Sequence, residues 1–98
     1  MEKMDFQTFK KRIESLGVVY SIRDNILYKI LSVDNNVLKI ERESTGKTVR
    51  IKMVELYNFY QKENYYDTQI AKDENYISGR VQSPAVAILR VLTENQKS

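Results

Sequence analysis

The first apolar residues of the chain recur at the spacing of an amphipathic helix. They are three or four positions apart, at Phe6, Phe9, Ile13 and Leu16. Asp5 precedes this run and can accept a hydrogen bond from a free amide of the first helical turn. Gly17 follows the run and favours a helix end. The pattern predicts an N-terminal helix between Asp5 and Gly17.

Apolar and polar residues alternate between Val18 and Lys52, as they do in β-strands. Segments rich in Asn, Asp or Gly divide this stretch into predicted strands at residues 18–22, 26–33, 37–43 and 48–52. The second is a dense apolar run, typical of a central strand covered on both faces. We expect an antiparallel meander of three or four strands.

Helical spacing returns after the predicted sheet. It indicates a second helix over about residues 52–63. Residues 64–80 are polar, acidic and aromatic without a clear period. They predict a long loop with one short helical turn near residues 68–72.

The C-terminal segment carries a helix start signal. Ser83 and Pro84 are the residue types favoured at the N-cap and at the first helical position. They predict a third helix that ends at Leu92, with a frayed tail over about residues 94–98. The chain is therefore predicted to form one small α+β domain over residues 1–98, with an N-terminal helix, an antiparallel three- to four-stranded meander and two C-terminal helices.

The amino-acid composition excludes several kinds of functional site. Its 98 residues suffice for one domain, and hydrophobic residues make up 42% of them, as in ordinary globular proteins. The sequence contains no cysteine, so disulfides and thiolate metal sites are excluded. It also contains no histidine, the commonest general base and zinc ligand. We expect no metal and no cofactor.

No segment of the sequence has the apolar run of a signal peptide or of a transmembrane helix. This pattern predicts a cytoplasmic protein without membrane contact. Lysine, asparagine, isoleucine and tyrosine are frequent, and their codons are rich in A and T. That bias favours a microbial or phage source.

The segment Ser44-Thr45-Gly46-Lys47-Thr48 resembles the end of a phosphate-binding loop. Such a loop needs a glycine five residues before its Gly-Lys-Thr, but that position is Glu41, whose carboxylate would repel phosphates. It also needs a helix after the lysine, whereas the residues that follow Lys47 alternate as a strand does. We interpret Ser44-Thr45-Gly46-Lys47 as a hairpin turn in which Gly46 has a positive φ.

Other catalytic chemistry lacks a recognisable pattern. Asp34, Glu41 and Glu43 lie near predicted strand ends without the spacing of a metal-dependent nuclease. Seven tyrosines could act as nucleophile or acid, but no strong base lies near any of them in sequence. The sequence predicts that the protein is not an enzyme, and an uncharacterised enzyme remains the third hypothesis.

The two faces of the predicted sheet differ in charge. One parity collects the apolar residues Val18, Tyr20, Ile22, Leu38, Ile40, Val49 and Ile51. The other collects the cations Arg23, Lys29, Lys39, Arg50 and Lys52, opposed by Glu41, and Leu27 and Leu31 are expected beside them. Rows of like charge cost stability, so an acidic partner or a phosphate backbone would relieve them. Alternatively, lysines on outer strands only prevent aggregation.

Two further regions are candidates for partner binding. Tyrosine combines a large contact area with a polar tip, so Tyr65, Tyr66 and Tyr76 of the long loop could be interface anchors, with Arg80 beside them. The third helix is apolar on nearly every side, which means burial within the fold or against another chain, including a second copy. Gly79, Arg80 and the N-terminus of that helix could also hold an anion, but a structural loop that ends in a helix cap is the favoured interpretation.

These features support two leading functional hypotheses. The favoured one is a small non-enzymatic protein-binding module of the adaptor or inhibitor type. It would use the Tyr-rich loop, the apolar C-terminal helix and the basic sheet face. The alternative is a nucleic-acid-binding module that uses the basic face. A net charge of +3 is low for a dedicated nucleic-acid binder, which favours a protein partner, itself acidic or nucleic-acid-binding.

Overall fold

The computed structural model describes residues 3–21 and 25–97, with side chains up to residue 94. Its helices and strands follow the order α1 (Phe6–Leu16), β1 (Val18–Ser21), β2 (Ile26–Asp34), β3 (Val37–Arg42), β4 (Thr48–Lys52), α2 (Met53–Lys62), α3 (Thr68–Asp73) and α4 (Gln82–Lys97). The predicted α+β architecture is therefore confirmed, and the predicted helical turn in the long loop is α3.

Helix α1 begins and ends where its sequence predicts. The Asp5 side chain accepts a hydrogen bond of 2.8 Å from the Thr8 amide, and Gly17 follows the helix with φ of 71°. Phe9 and Ile13 are fully buried. The predicted apolar stripe is thus the side of α1 that faces the core.

The four strands form one antiparallel meander in the order β1-β2-β3-β4. Asn35 and Asn36 connect β2 to β3 with φ of 52° and 60°, the backbone that a two-residue type I′ hairpin requires. Gly46 lies in the next turn with φ of 69°, and its amide donates to the Arg42 carbonyl at 2.8 Å. Strand β4 begins at Thr48, directly after Lys47, so Ser44-Thr45-Gly46-Lys47 is the hairpin turn that we predicted.

The helices cover one face of the sheet and leave the other face open. Helices α1, α2 and α4 contact strands β2, β4 and β1, respectively. Leu38, Ile40 and Ile51 point toward these helices and are buried. A dense run of apolar residues in β2 had predicted a strand covered on both faces, and this is wrong. Only the Tyr28 face of β2 is covered, whereas Lys29 is exposed.

Strand β1 has the opposite phase to the predicted one. Val19 is fully buried and pairs with Tyr28, whereas Val18 and Tyr20 are 49% and 46% exposed. The prediction that Val18 and Tyr20 face the core is therefore wrong. Two consecutive valines suit either phase, and the pairing with Tyr28 selects Val19 for the core. Ile22 of the predicted apolar face lies outside the described residues.

The last helix begins earlier than its sequence signal indicates. Helix α4 starts at Gln82, and the Ala85 amide donates to the Val81 carbonyl at 3.1 Å, so Pro84 lies within the first turn instead of opening the helix. The helix continues to Lys97, past the predicted end at Leu92. Ala85–Leu89 is buried in the core. The apolar character of α4 therefore serves the fold of this chain.

Candidate partner-binding surface

The side of the sheet that no helix covers is called the open sheet face here. It carries four of the predicted cations, Lys29 on β2, Lys39 on β3, and Arg50 and Lys52 on β4. Lys39 is half-buried, and the other three are exposed. The structure therefore brings these four residues to one surface, as the strand parity predicts. Arg23, the fifth predicted cation, lies outside the described residues.

Two of these cations face each other directly. Lys39 pairs with Arg50 in the register of β3 and β4, and residues in such pairs have Cβ atoms about 4.5–5.5 Å apart. Lys52 lies two residues further along β4 and points to the same side. Within residues 3–21 and 25–97, none of the three side chains makes a hydrogen bond or an ion pair. This end of the face is a basic cluster, with Glu41 as its diagonal acidic neighbour.

The other end of the open sheet face is apolar. Val18 pairs with Lys29 and Tyr20 pairs with Leu27, which places all four side chains on the open side. Leu31 lies at an irregularity of the pairing between β2 and β3 and is 45% exposed. Such bulges turn side chains away from the regular alternation. The result is an exposed apolar zone on β1 and β2 beside the basic cluster on β3 and β4.

Acidic residues balance only part of this charge. Glu41 pairs with Lys29 across β2 and β3, so these opposite charges lie on the same side of the sheet. Asp34 is at the far end of β2, opposite Val37. Neither carboxylate pairs across strands with Lys39, Arg50 or Lys52. The positive charge is thus concentrated where β3 meets β4.

The predicted tyrosines of the long loop lie in different environments. Tyr65 is 62% exposed and free to meet a partner. Tyr66 is 4% exposed, and its hydroxyl donates to the Tyr60 carbonyl at 3.0 Å and accepts from the Lys3 ammonium at 3.1 Å. Burial raises the pKa of Tyr66 to about 12. Tyr66 therefore belongs to the core and offers little surface to a partner.

Tyr76 packs on α2, whereas Arg80 lies in a groove. Tyr76 stacks on Phe59 with ring centroids 4.9 Å apart, and its hydroxyl donates to Glu63 Oε2 at 2.8 Å. This hydrogen bond to a carboxylate is the main reason that the pKa of Tyr76 rises to about 12. Arg80 is exposed and lines a groove with Arg42 and Lys47 instead of joining the open sheet face.

Sequence reasoning found only parts of the apolar zone and of the groove, namely Leu27 and Leu31 in the zone and Arg80 beside the start of the last helix in the groove. Val18 and Tyr20 were assigned to the core, and no pattern in the chain distinguishes Val18 from Val19 as the buried residue. Arg42 and Lys47 were not grouped with Arg80, which is far from them in sequence. The groove depends on how α4 packs against the sheet, and this packing leaves no local signal.

A comparison of the chain with protein-family models, with curated proteins and with solved structures found no match. Within residues 3–21 and 25–97 no three acidic side chains come together as a possible metal-ion site. In the same part of the chain, no helix combines the length and the apolar character needed to cross a lipid bilayer.

Proposed function

We propose that this protein is a small non-enzymatic protein-binding module that docks an acidic partner on its open sheet face. The observation that carries the proposal is the direct pairing of Lys39 with Arg50 on a sheet surface that no helix covers. An adaptor or an inhibitor would act in this way, by occupying the surface of another protein. We place this activity in the cytoplasm.

The arrangement of the cations argues against a purely protective role. Lysines on an edge strand prevent the edges of sheets from pairing between molecules. That explanation suits Arg50 and Lys52 on the edge strand β4. It does not account for Lys39 on the interior strand β3, where a like charge directly across the ladder costs stability. Carboxylates of a partner would turn this repulsion into attraction.

The apolar zone favours a protein over a nucleic acid. Interfaces between proteins combine an apolar centre with a charged rim. Val18 and Leu31 offer aliphatic surface next to the basic cluster, and Tyr20 adds an aromatic ring with a polar tip. A nucleic acid would use the cations and the ring of Tyr20 but would gain little from exposed Val18 and Leu31.

The test is affinity capture from a nuclease-treated lysate of the source organism. The wild-type chain is compared with Lys39→Glu/Arg50→Glu and with the matched control Arg12→Glu/Lys62→Glu, which reverses one lysine and one arginine on α1 and α2. Both control positions are exposed. We expect wild type and control to retain the same stoichiometric acidic protein and the sheet variant to lose it. Retention by the sheet variant would refute the proposed surface.

A second measurement separates the protein partner from the nucleic-acid alternative. Fluorescence anisotropy with labelled single-stranded and duplex oligonucleotides is measured at several salt concentrations. Four phosphate contacts would give a log-log salt slope of roughly −3 to −4 on duplex DNA. We expect no micromolar binding near physiological salt. Micromolar binding that disappears in a folded Lys39→Glu/Arg50→Glu variant would instead establish a nucleic-acid-binding module.

A further inference from the structure

A groove on the helix side of the sheet lies between the β3–β4 turn and the start of α4. Its volume is about 580 Å³, within the usual range of small-molecule pockets. The turn side contributes Arg42, Thr45 and Lys47, and the helix side contributes Arg80 and Ser83. Three cations and two hydroxyls thus surround one concave space.

The described residues of the groove do not compensate its positive charge. Within residues 3–21 and 25–97, the charged ends of Arg42, Lys47 and Arg80 make no hydrogen bond or ion pair. Among the described residues that line the groove there is no carboxylate. Glu41 and Glu43 flank Arg42 in sequence, but Glu41 points to the open sheet face and Glu43 lies in the turn. Three cations gathered around one pocket, with no counterion among the described residues, favour a ligand with more than one negative charge.

The floor of the groove has a different character from its rim. Its apolar lining consists of the half-buried Ile26 and Val49, the buried ring of Tyr28 and the buried Pro84. A compact ring of a ligand can pack on this floor while its anionic group meets the three cations. The positive end of the α4 dipole lies beside Ser83 and acts in the same direction as the cations.

We propose that this groove binds a phosphate monoester with a small aromatic or apolar organic part. Arg42 and Arg80 would donate to the phosphate oxygens, because the planar guanidinium matches a phosphate with two parallel hydrogen bonds. The Lys47 ammonium would add a third charge, and the Thr45 and Ser83 hydroxyls would complete the set of donors. The site is separate from the open sheet face, so it is a second binding function of this chain.

Lys47 would contribute here by its side chain alone. The backbone around it forms a hairpin turn, and a strand follows it instead of a helix. The phosphate is therefore not wrapped by consecutive backbone amides, as it is in a phosphate-binding loop. The residues that make the groove basic come from the end of β3, the turn and the loop before α4.

The experiment is an NMR titration of the full ¹⁵N-labelled chain with phenyl phosphate, inorganic phosphate and phenol as probes. Phenyl phosphate should shift the amides of Arg42, Lys47 and Ser83 saturably and leave those of Lys39 and Arg50 on the open sheet face unchanged. Inorganic phosphate should bind the same amides more weakly, because it lacks the ring that contacts the floor. Phenol should produce no saturable shift.

The variant Arg42→Gln/Lys47→Gln is matched with Arg12→Gln/Lys62→Gln, which removes the same charges elsewhere. Each lost charged donor should weaken phenyl phosphate binding about tenfold, so the groove variant should lose roughly a hundredfold in affinity. Arg80→Gln alone should lose about tenfold, and the control variant should bind as wild type does. Equal weakening in the control, or the absence of saturable shifts in the groove at millimolar phenyl phosphate, would overturn the proposal.

Discussion

Arg50→Glu would replace one of two like charges that oppose each other on the open sheet face. Lys39 lies directly across from position 50, and Lys52 lies two residues away on the same side. A glutamate at position 50 would therefore face one cation and have another beside it. We expect this variant to be more stable than the wild type. Arg50→Gln should lie between the two, because it removes the repulsion without adding attraction.

The expected magnitude follows from the geometry of the pair. Long side chains from opposite positions can bring their charges to within about 6 Å, where two unit charges in water interact by roughly 0.7 kcal/mol. Physiological salt reduces this energy to about half. Reversing its sign changes the free energy of unfolding by roughly 0.7 kcal/mol, and the diagonal neighbour Glu41 offsets part of this gain. A net stabilisation of about 0.5 kcal/mol would raise Tm by about 2–4 °C.

The assay is urea denaturation at low and high salt for the wild type, Arg50→Gln and Arg50→Glu. Comparing Glu with Gln largely cancels differences in side-chain size and strand propensity. The gain should shrink toward zero near 1 M NaCl, where screening is almost complete. Arg12→Glu on α1 makes the same change of net charge away from the sheet and should not reproduce the gain. If Arg50→Glu lowered the free energy of unfolding, or raised it equally at low and high salt, the argument that Lys39 and Arg50 repel each other would be refuted.

Four other substitutions test the fold and its dependence on pH. Leu89→Asp should unfold the chain, because Leu89 is fully buried and an unpaired charge there costs several kcal/mol; a native circular dichroism spectrum would contradict this. Gly46→Val should cost on the order of 1–2 kcal/mol in urea denaturation because φ is 69°, whereas Lys47→Ala should leave stability nearly unchanged. Folding raises the pKa of Tyr66 from 10.0 to about 12, so the neutral phenol stabilises the folded state fully below pH 10 and this stabilisation is lost as pH rises toward 12. Tyr66→Phe should therefore make the free energy of unfolding decline less over this pH range. An unchanged pH profile of stability would contradict this expectation.

The helices and strands of this fold can be predicted from the sequence because capping residues, turn residues and apolar spacing indicate the same boundaries. Asp5 and Gly17 bracket α1, and the two asparagines at Asn35–Asn36 supply the backbone of a tight hairpin. Alternation in β3 and β4 separates Leu38 and Ile51 from the cations on the opposite side. These signals act over a few residues, so capping residues, turn residues and periodicity reveal them without knowledge of tertiary contacts.

Tertiary packing determines the phase of β1 and the burial of Tyr66, which the sequence pattern does not. The phase of β1 depends on the pairing of Val19 with Tyr28, and the identities of these two residues do not predict that they pair. Tyr66 resembles an interface anchor in composition, but contacts with Lys3 and Tyr60 make it part of the core. Of the candidate site, the basic cluster follows from strand parity, whereas the apolar zone and the groove depend on contacts between distant segments.

The order of the strands also has a consequence for how the chain folds. Each strand pairs with its neighbour in sequence, so every hairpin closes a short loop at small entropic cost. Helix α4 instead packs against β1 from the far end of the chain, and this closure must wait until the sheet exists. We expect kinetic φ-values to be high at the Asn35–Asn36 turn and near zero at Leu89. During synthesis α1 and the meander would emerge before α4, so the part of the apolar side that α4 covers would stay exposed until that helix is made.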